Sequence, residues 1–512
     1  MLFNSNEFLF LFLPVALIAF HGLRVLGIRN YAFLALLLAS IYFYAYWSVP
    51  YALVFIVSVV FNFLIGRGIM ATGSRMLTAA GIIANLLLLG YFKYTNFLIE
   101  VIGEMGLADL PHLEIVLPIG ISFYTFIQIA YLADICSGKA VEAKPVRYGL
   151  FVSFFPHMLA GPVVHHKEMM PQFAEAMPRQ RLLRMLAVGS CLLVIGLVKK
   201  VLVADRIAML ANAMFAAAAD GGEVDFFNAW VGILAYTLQI YFDFSGYSDM
   251  ATGLALMFGI RFPANFNSPY RSTNIIAFWR RWHMTLSRLL RDYIYIPLGG
   301  NRKGPARRHM NLMATMVIGG AWHGAGWPFI LWGFLHGLYL MINHFWNYQL
   351  GNKIKMPPIL AMTITFLAVV IAWVPFRATD MQAVSSIYAA MLGLNGLSAP
   401  LELGTILGPL GMDPRAWGIE MVAANQRAQF YMNCSVLLLG MVLAFGAPNS
   451  IRILRRYRPV LNTRAVLLDG RSRNRLEWRP GLWSGILLGI GLFLVVRSIN
   501  SAAPSEFLYF QF

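Results

Sequence analysis

Charged residues are scarce in this sequence: only 12% of its 512 positions are Asp, Glu, Lys or Arg, against roughly 25% in an ordinary soluble domain. With 59% hydrophobic residues, so little polar surface could not cover a water-soluble fold. Mean hydropathy is +0.65, and a bilayer must be part of the solvent. Cysteine is scarcer still. Cys136, Cys191 and Cys434 stand far apart without CxxC spacing, which speaks against a disulfide framework or a zinc site and leaves buried structural thiols as the expectation. There is no GxSxG elbow, P-loop, GxGxxG after a strand, or HExxH, so serine-hydrolase and nucleotide-driven chemistries have no motif to stand on. The apolar run at Phe8 lacks a basic n-region and a cleavage site, so it reads as a retained span and not a secretory signal.

What the sequence does have is apolar segments from one end to the other. Spans of about 20 such residues are expected near 8–22, 31–49, 51–66, 77–98, 115–133, 185–203, 226–244, 327–346, 358–376, 428–446 and 482–498. Shorter or interrupted pieces lie near 148–165, 245–262, 310–322 and 383–396. The expectation is a single membrane domain over 1–512, with its motif-bearing core at about 115–346. The net charge of +17 fits the lysine and arginine excess of cytoplasmic loops. No basic stripe interleaved with aromatics lies outside the spans, so nucleic acid is not an expected partner. Acidic loops at 99–114 and 219–225 contrast with basic ones at 67–75, 138–147, 167–184, 271–308 and 451–479. The positive-inside tendency puts the basic loops in the cytoplasm and both termini outside.

Two segments conflict with simple crossing. Both loops around 148–165 are basic, so that piece enters and leaves on one side. The 310–322 run would reach only ~20 Å at 1.5 Å per residue, short of a ~30 Å hydrocarbon core. Broken or re-entrant helices resolve both conflicts, and such backbone is tolerated only inside protein or along a wet cavity. The second break falls at Gly319-Gly-Ala-Trp322-His323-Gly324-Ala-Gly-Trp327. Intramembrane ionisable residues are functional candidates by default. His323 could merely bond a carbonyl and hold the break. The flanking glycines, however, let a substrate approach closely, with Trp322 and Trp327 as channel walls.

A second feature is Phe278-Trp279-Arg280-Arg281-Trp282-His283, continuing to Asp292. At ~100° per residue its arginines share one side and its apolar residues the other. It reads as an interfacial amphipathic helix, with His283 at the edge of the apolar face. A plain surface anchor would account for everything in it except His283. A third is Tyr241-Phe-Asp243-Phe-Ser-Gly-Tyr247-Ser-Asp249, a polar cluster between two apolar pieces. Its aspartates could serve as proton relays, but the expectation is that they cap helices and pair with interfacial arginines. Pro156-His157 through His165-His166 marks another broken piece. Adjacent histidines lack helix-face ligand spacing, so no metal site is expected. His336 and His344 read as packing residues.

At these residues the chain resembles the membrane-bound O-acyltransferase family, in its bacterial alginate O-acetyltransferase branch. The matching strings are Pro118-Ile-Gly-Ile-Ser-Phe-Tyr-Thr-Phe126, Phe154-Phe-Pro-His-Met-Leu-Ala-Gly-Pro162 and Phe242-Asp-Phe-Ser-Gly-Tyr-Ser-Asp249. Phe262-Pro-Ala-Asn265-Phe-Asn267, Phe278 to His283, Asp292 to Gly300, Trp322-His323-Gly324 and the ending Phe507 to Phe512 follow in order. The stretch 378–480 carries no matching motif. The resemblance implies an all-α integral membrane fold, a multi-span ring of tilted and broken transmembrane helices around a funnel or tunnel, with interfacial and re-entrant helices. It implies His323 as the principal catalytic residue and His283 as the second. Trp322, Trp282, Arg280, Arg281, Tyr247, Asp249 and Asn265 are the expected substrate-binding positions.

Members of that branch are thought to pass acetyl groups across the bacterial inner membrane from acetyl-CoA or another acyl thioester. No permanently bound cofactor is implied. The implied partners are membrane lipid, a periplasmic acetyltransferase and a polysaccharide synthase or secretion complex. Relatives serving cellulose or teichoic acid share the core strings, which leaves the polymer open. Since a thioester is already activated, the main need is a base or orienting group for an acceptor hydroxyl, a role suited to a neutral imidazole. Arginines beside His283 could attract the phosphates of coenzyme A. Competing readings are a polysaccharide or lipid transporter, although no inverted repeat is seen, and a non-catalytic assembly subunit.

Overall fold

The computed structural model describes residues 1–139, 144–174, 178–222, 224–349, 356–422, 427–468, 477–501 and 505–510. Glu223, Arg471, Arg473, Arg475, Gln511 and Phe512 lie outside the described residues. The architecture is all-α and integral to the membrane. Among the described residues the strands are two three-residue pieces, Ser398–Pro400 and Glu420–Val422, paired in parallel. Six described helices are long and apolar enough to cross a membrane: Phe8–Val25, Val49–Thr72, Arg75–Glu104, Arg179–Ala219, Pro358–Arg377 and Leu482–Ser501. Local sequence sets their ends. Gly73 takes the left-handed conformation (φ 64°) that closes one span. Ser74 then caps the next by accepting a hydrogen bond from the Leu77 N–H at 3.1 Å.

Two expected boundaries are corrected. The pieces at 226–244 and 245–262 form one helix, Phe226–Met257, of 32 residues, and the polar cluster lies inside it. It can stay helical because its two buried aspartates find lysine partners on the neighbouring Arg179–Ala219 helix. The 310–322 piece begins earlier than its apolar run: Gly304–His323 has 20 residues, but its first turns are basic and it is not among the described helices apolar enough to cross. The basic residues of its first turns had hidden that extension. The broken character of 148–165 appears as helices Pro145–Ser153 and Phe155–Met158 followed by irregular backbone.

Helices Arg179–Ala219 and Phe226–Met257 cross backbone to backbone. A Cβ on Gly189 would lie 2.6 Å from the Gly253 carbonyl oxygen, and one on Gly196 2.5 Å from that of Gly246. Small residues permit such approach in lipid, where packing replaces the hydrophobic effect between helices. A π-helical turn, Val198–Ala204, interrupts the first helix here. It carries Lys199 to Asp249 (2.6 Å) and Lys200 to Asp243 (2.5 Å) and Asp205 (2.9 Å). The aspartates thus pair with lysines of the adjacent helix rather than with interfacial arginines, because the close crossing leaves no route to the interface.

The two ends of the chain meet at this ion-pair cluster. Asn4 donates to the Ser505 carbonyl at 3.2 Å, and the Leu508 N–H donates to Asp243 at 3.2 Å. Tyr247 packs between Phe3 (5.1 Å) and Phe507 (4.6 Å). Of the cysteines expected to be buried, Cys191 is, whereas Cys136 is only half-buried and Cys434 is exposed.

Candidate active site

The Gly304–His323 helix stops because Gly324 is extended (φ −156°, ψ 156°). The next helix, Trp327–Gln349, returns against it with almost no side chain between. A Cβ on Gly320 would collide with the Phe329 carbonyl oxygen, and one on Gly333 with that of Met316. His323 is thereby held, buried, at the turn. It lies at the seam of two large apolar clusters, one containing Trp322 and the other Trp332 and Phe376. Its ring sits edge-on to all three, at 4.8, 5.0 and 5.0 Å. Its electrostatic neighbours are His283, Lys93 and His336.

A helix end exposes carbonyls that lack intrahelical partners, and the apolar depth of a membrane offers no water to take them up. Helix Arg75–Glu104 supplies the donors. Tyr94 OH donates to the Ala321 carbonyl at 2.6 Å. Lys93 Nζ donates to the carbonyls of Trp322 (2.5 Å) and His323 (2.9 Å) and reaches Ser122 Oγ at 3.4 Å. Sequence reasoning missed both residues. A lone lysine inside an apolar span was the available signal.

His283 is not on a continuous amphipathic helix. The segment breaks into Ile275–Trp279 and Met284–Leu290, with His283 between them at φ 40°, a left-handed conformation uncommon for a side-chain-bearing residue. Asn265 compensates the break. Its backbone oxygen accepts from the Met284 N–H at 2.9 Å. Its Oδ1 accepts from Thr285 Oγ1 at 2.9 Å and lies 3.0 Å from His283 Nδ1. Its Nδ2 donates to Ser248 Oγ at 3.0 Å. Because the Thr285 backbone N–H, which can only donate, also points at that oxygen at 3.4 Å, Oδ1 is the acceptor. His283 therefore carries its proton on Nδ1, and Nε2 is the basic nitrogen. The ring is buried edge-on against Phe244 at 4.7 Å.

One large cavity is lined by residues adjacent to His283 in sequence, and a smaller pocket is lined by His323 itself. The large cavity, of about 560 Å³, is lined by Trp279, Arg280, Met284, Thr285, Arg288, Arg291, Thr315 and Met316, among others, with His344 on its wall. Met316 is two turns below His323 on the same helix, roughly 10 Å by helical rise. Facing the other way, pockets of about 60 and 290 Å³ flank the Trp322-His323-Gly324 turn, and Lys93 and Leu117 line both. The first cavity lies among the basic 271–308 segment; the others adjoin the acidic 99–114 loop.

The remaining expected positions divide. Trp322 lines the smaller outer pocket and Arg280 the large cavity. Arg281 is outside that cavity, and its carbonyl accepts from Asn267 N–H at 2.9 Å. Trp282 is buried against Phe266 and Trp373 at 5.1 and 4.9 Å, so it supports the site from behind. Tyr247 is likewise a packing residue. Asp249, bonded to Lys199 and to Ser450 Oγ (2.7 Å), faces a small polar cavity shared with Asn265. Trp327 turns outward, 45% exposed, and does not wall the His323 site. His336 is packed among Trp279, Trp332 and Phe278, whereas His344 lines the cavity instead of packing. Among the described residues, no group of three or more His, Cys, Asp or Glu is arranged to hold a metal.

Comparison with known proteins supplies a context for this geometry. The model of MBOAT, the membrane-bound O-acyltransferase family, matches residues 138–379. A peptidoglycan O-acetyltransferase of Helicobacter pylori is 37% identical over 100% of this chain and 98% of its own. A probable alginate O-acetylase of Pseudomonas aeruginosa is 45% identical over 76% of this chain and 75% of its own. Another from Pseudomonas putida is 36% identical over the full length of both.

Proposed function

The chain belongs to the membrane-bound O-acyltransferase family and is an acyltransferase, and we propose that it moves acetyl groups through the bacterial inner membrane for O-acetylation of an exported polysaccharide. The observation that carries this reading is that His323 lines an outer pocket at the end of a helix whose earlier turns, at Thr315 and Met316, line the large arginine-bearing cavity. On this reading the acyl end of the donor extends from the large cavity toward the imidazole, and the acceptor meets it from the outer pocket.

In this reading acetyl-coenzyme A, or another acetyl thioester, enters the 560 Å³ cavity, its phosphates drawn by Arg280 and its neighbours. The acceptor hydroxyl enters by the Lys93-lined pockets. His323 takes the hydroxyl proton as the oxygen attacks the carbonyl carbon. The carbon–sulfur bond then breaks, and the thiolate leaves with that proton. General-base help of this kind is worth about 10²–10⁴-fold. His283, with its basic Nε2 fixed by Asn265, orients the thioester end of the donor. The outer pockets, about 60 and 290 Å³, suit a single hydroxyl-bearing group better than a polymer chain. That favours hand-off to a periplasmic acetyltransferase working with the polysaccharide synthase.

The polymer is of the class named for the relatives, an alginate-like exopolysaccharide or peptidoglycan. Deleting the chain and analysing ester groups on both polymers by NMR tests the assignment. One polymer should lose acetyl ester while still being made. Unaltered esterification of both would refute the proposal.

A further inference from the structure

Lys93 stands in the middle of an apolar span, and its partners among the described residues are two main-chain carbonyls and one hydroxyl, none of them a carboxylate. A cation at this depth is costly. Its location at the C-terminus of the Gly304–His323 helix offsets part of that cost, since the last carbonyls carry the negative end of the helix dipole. The backbone bond that would close the helix, Gly324 N–H to the Gly320 oxygen, is 3.4 Å long. Tyr94 adds a third anchor one carbonyl earlier, at Ala321. Two consecutive residues of one helix therefore hold three consecutive carbonyls of another, across 227 to 230 positions of sequence.

We propose that Lys93 is a positioning residue for His323: its side-chain amine clamps the end of the helix and so holds the imidazole at the acceptor pocket. Lys93 lines both pockets beside the turn, so it holds the histidine in place from the acceptor side. This rests on the role given to His323 above. A misplacement of about 1 Å can cost roughly 100-fold in rate, which sets the scale of the effect.

The test uses the full-length chain in cells whose polymer ester is quantified per molecule of membrane-inserted protein. Lys93→Met keeps the length of the side chain and removes its donors; Lys93→Arg keeps a cationic donor. We expect the methionine variant to lose at least tenfold in ester at unchanged abundance and melting temperature, with the arginine variant at least threefold more active than the methionine variant. A methionine variant within twofold of wild type, a loss matched by lost folded protein, or an arginine variant no better than methionine would overturn the inference. His323→Ala in the same assay separates the two claims: if it retains ester, the role of His323 itself fails.

Discussion

His283 Nδ1 and Asn265 Oδ1 lie 3.0 Å apart, a contact between two residues whose segments are both irregular in backbone. The Asn265 side chain fixes the ring tautomer while its main-chain oxygen satisfies the N–H of Met284, so loss of the side chain should affect orientation more than folding. We expect Asn265→Ala to reduce ester formation tenfold or more. The stability loss should be about 1–3 kcal/mol, from the buried Thr285 and His283 groups left without their acceptor. Thermal melts in detergent, run beside the ester assay, would separate the two effects.

The proposed donor role of the large cavity makes a sharper prediction about two neighbouring arginines. Arg280 lines it and Arg281 does not. A charge-assisted hydrogen bond contributes about 1.5–3 kcal/mol. Arg280→Gln should therefore weaken acetyl-coenzyme A binding by about tenfold or more, whereas Arg281→Gln leaves it within about twofold. Equal effects at both positions would remove phosphate recognition from the account.

Lys200 and Asp243 are both nearly inaccessible to solvent, 2% and 4% exposed, with Nζ and Oδ1 2.5 Å apart. Breaking such a pair from one side costs about 3–5 kcal/mol because a buried charge is left behind. Lys200→Met should lower the melting temperature and abundance sharply. The double replacement Lys200→Met with Asp243→Asn should recover much of the loss. If the double variant is no better than the single, the pair is not the source of the effect.

The tight turn at the site predicts a contrast among glycines. Gly320→Ala would press a methyl group into the Phe329 carbonyl, while at Gly489 nothing lies within 4 Å of where a methyl group would stand. The first should abolish ester formation through displacement of His323, with loss of folded protein also expected; Gly489→Ala should match wild type in both readouts.

Outside the spans, Asp380 caps the Met381–Met391 helix. The Ala383 N–H, at 2.8 Å, and the Thr379 hydroxyl hold its carboxyl below the ordinary carboxylate range. A depressed value means stability that is present above the unfolded pKa and lost as pH falls through the folded one. Asp380→Ala should cost about 0.5–2 kcal/mol at neutral pH. The gap from wild type should close as the pH drops below about 4, read from melts at successive pH values.

Much of this site was legible in the sequence, but not evenly. The glycine pattern around His323 predicts a break where the structure has one, because a glycine-flanked interruption of an apolar run has few other meanings at membrane depth. The break at His283 was not legible. Its cause is Asn265, 18 positions away, and helical periodicity alone carries no trace of that partner. Lys93, Lys199 and Lys200 were hidden for a related reason. A lysine within an apolar run can snorkel to the interface or pair inside the protein, and only the opposing helix decides which. The aspartates at 243 and 249 were visible as a cluster, yet their lysine partners became evident only from the glycine-mediated crossing that brings the two helices together.

The most direct measurement is the acetyl ester content of secreted polymer from cells carrying His323→Ala, with membrane abundance of the protein measured in parallel. The account predicts loss of ester at normal abundance, with the polymer itself still secreted. Undiminished ester would contradict it and reduce His323 to a buried residue that holds a helix turn.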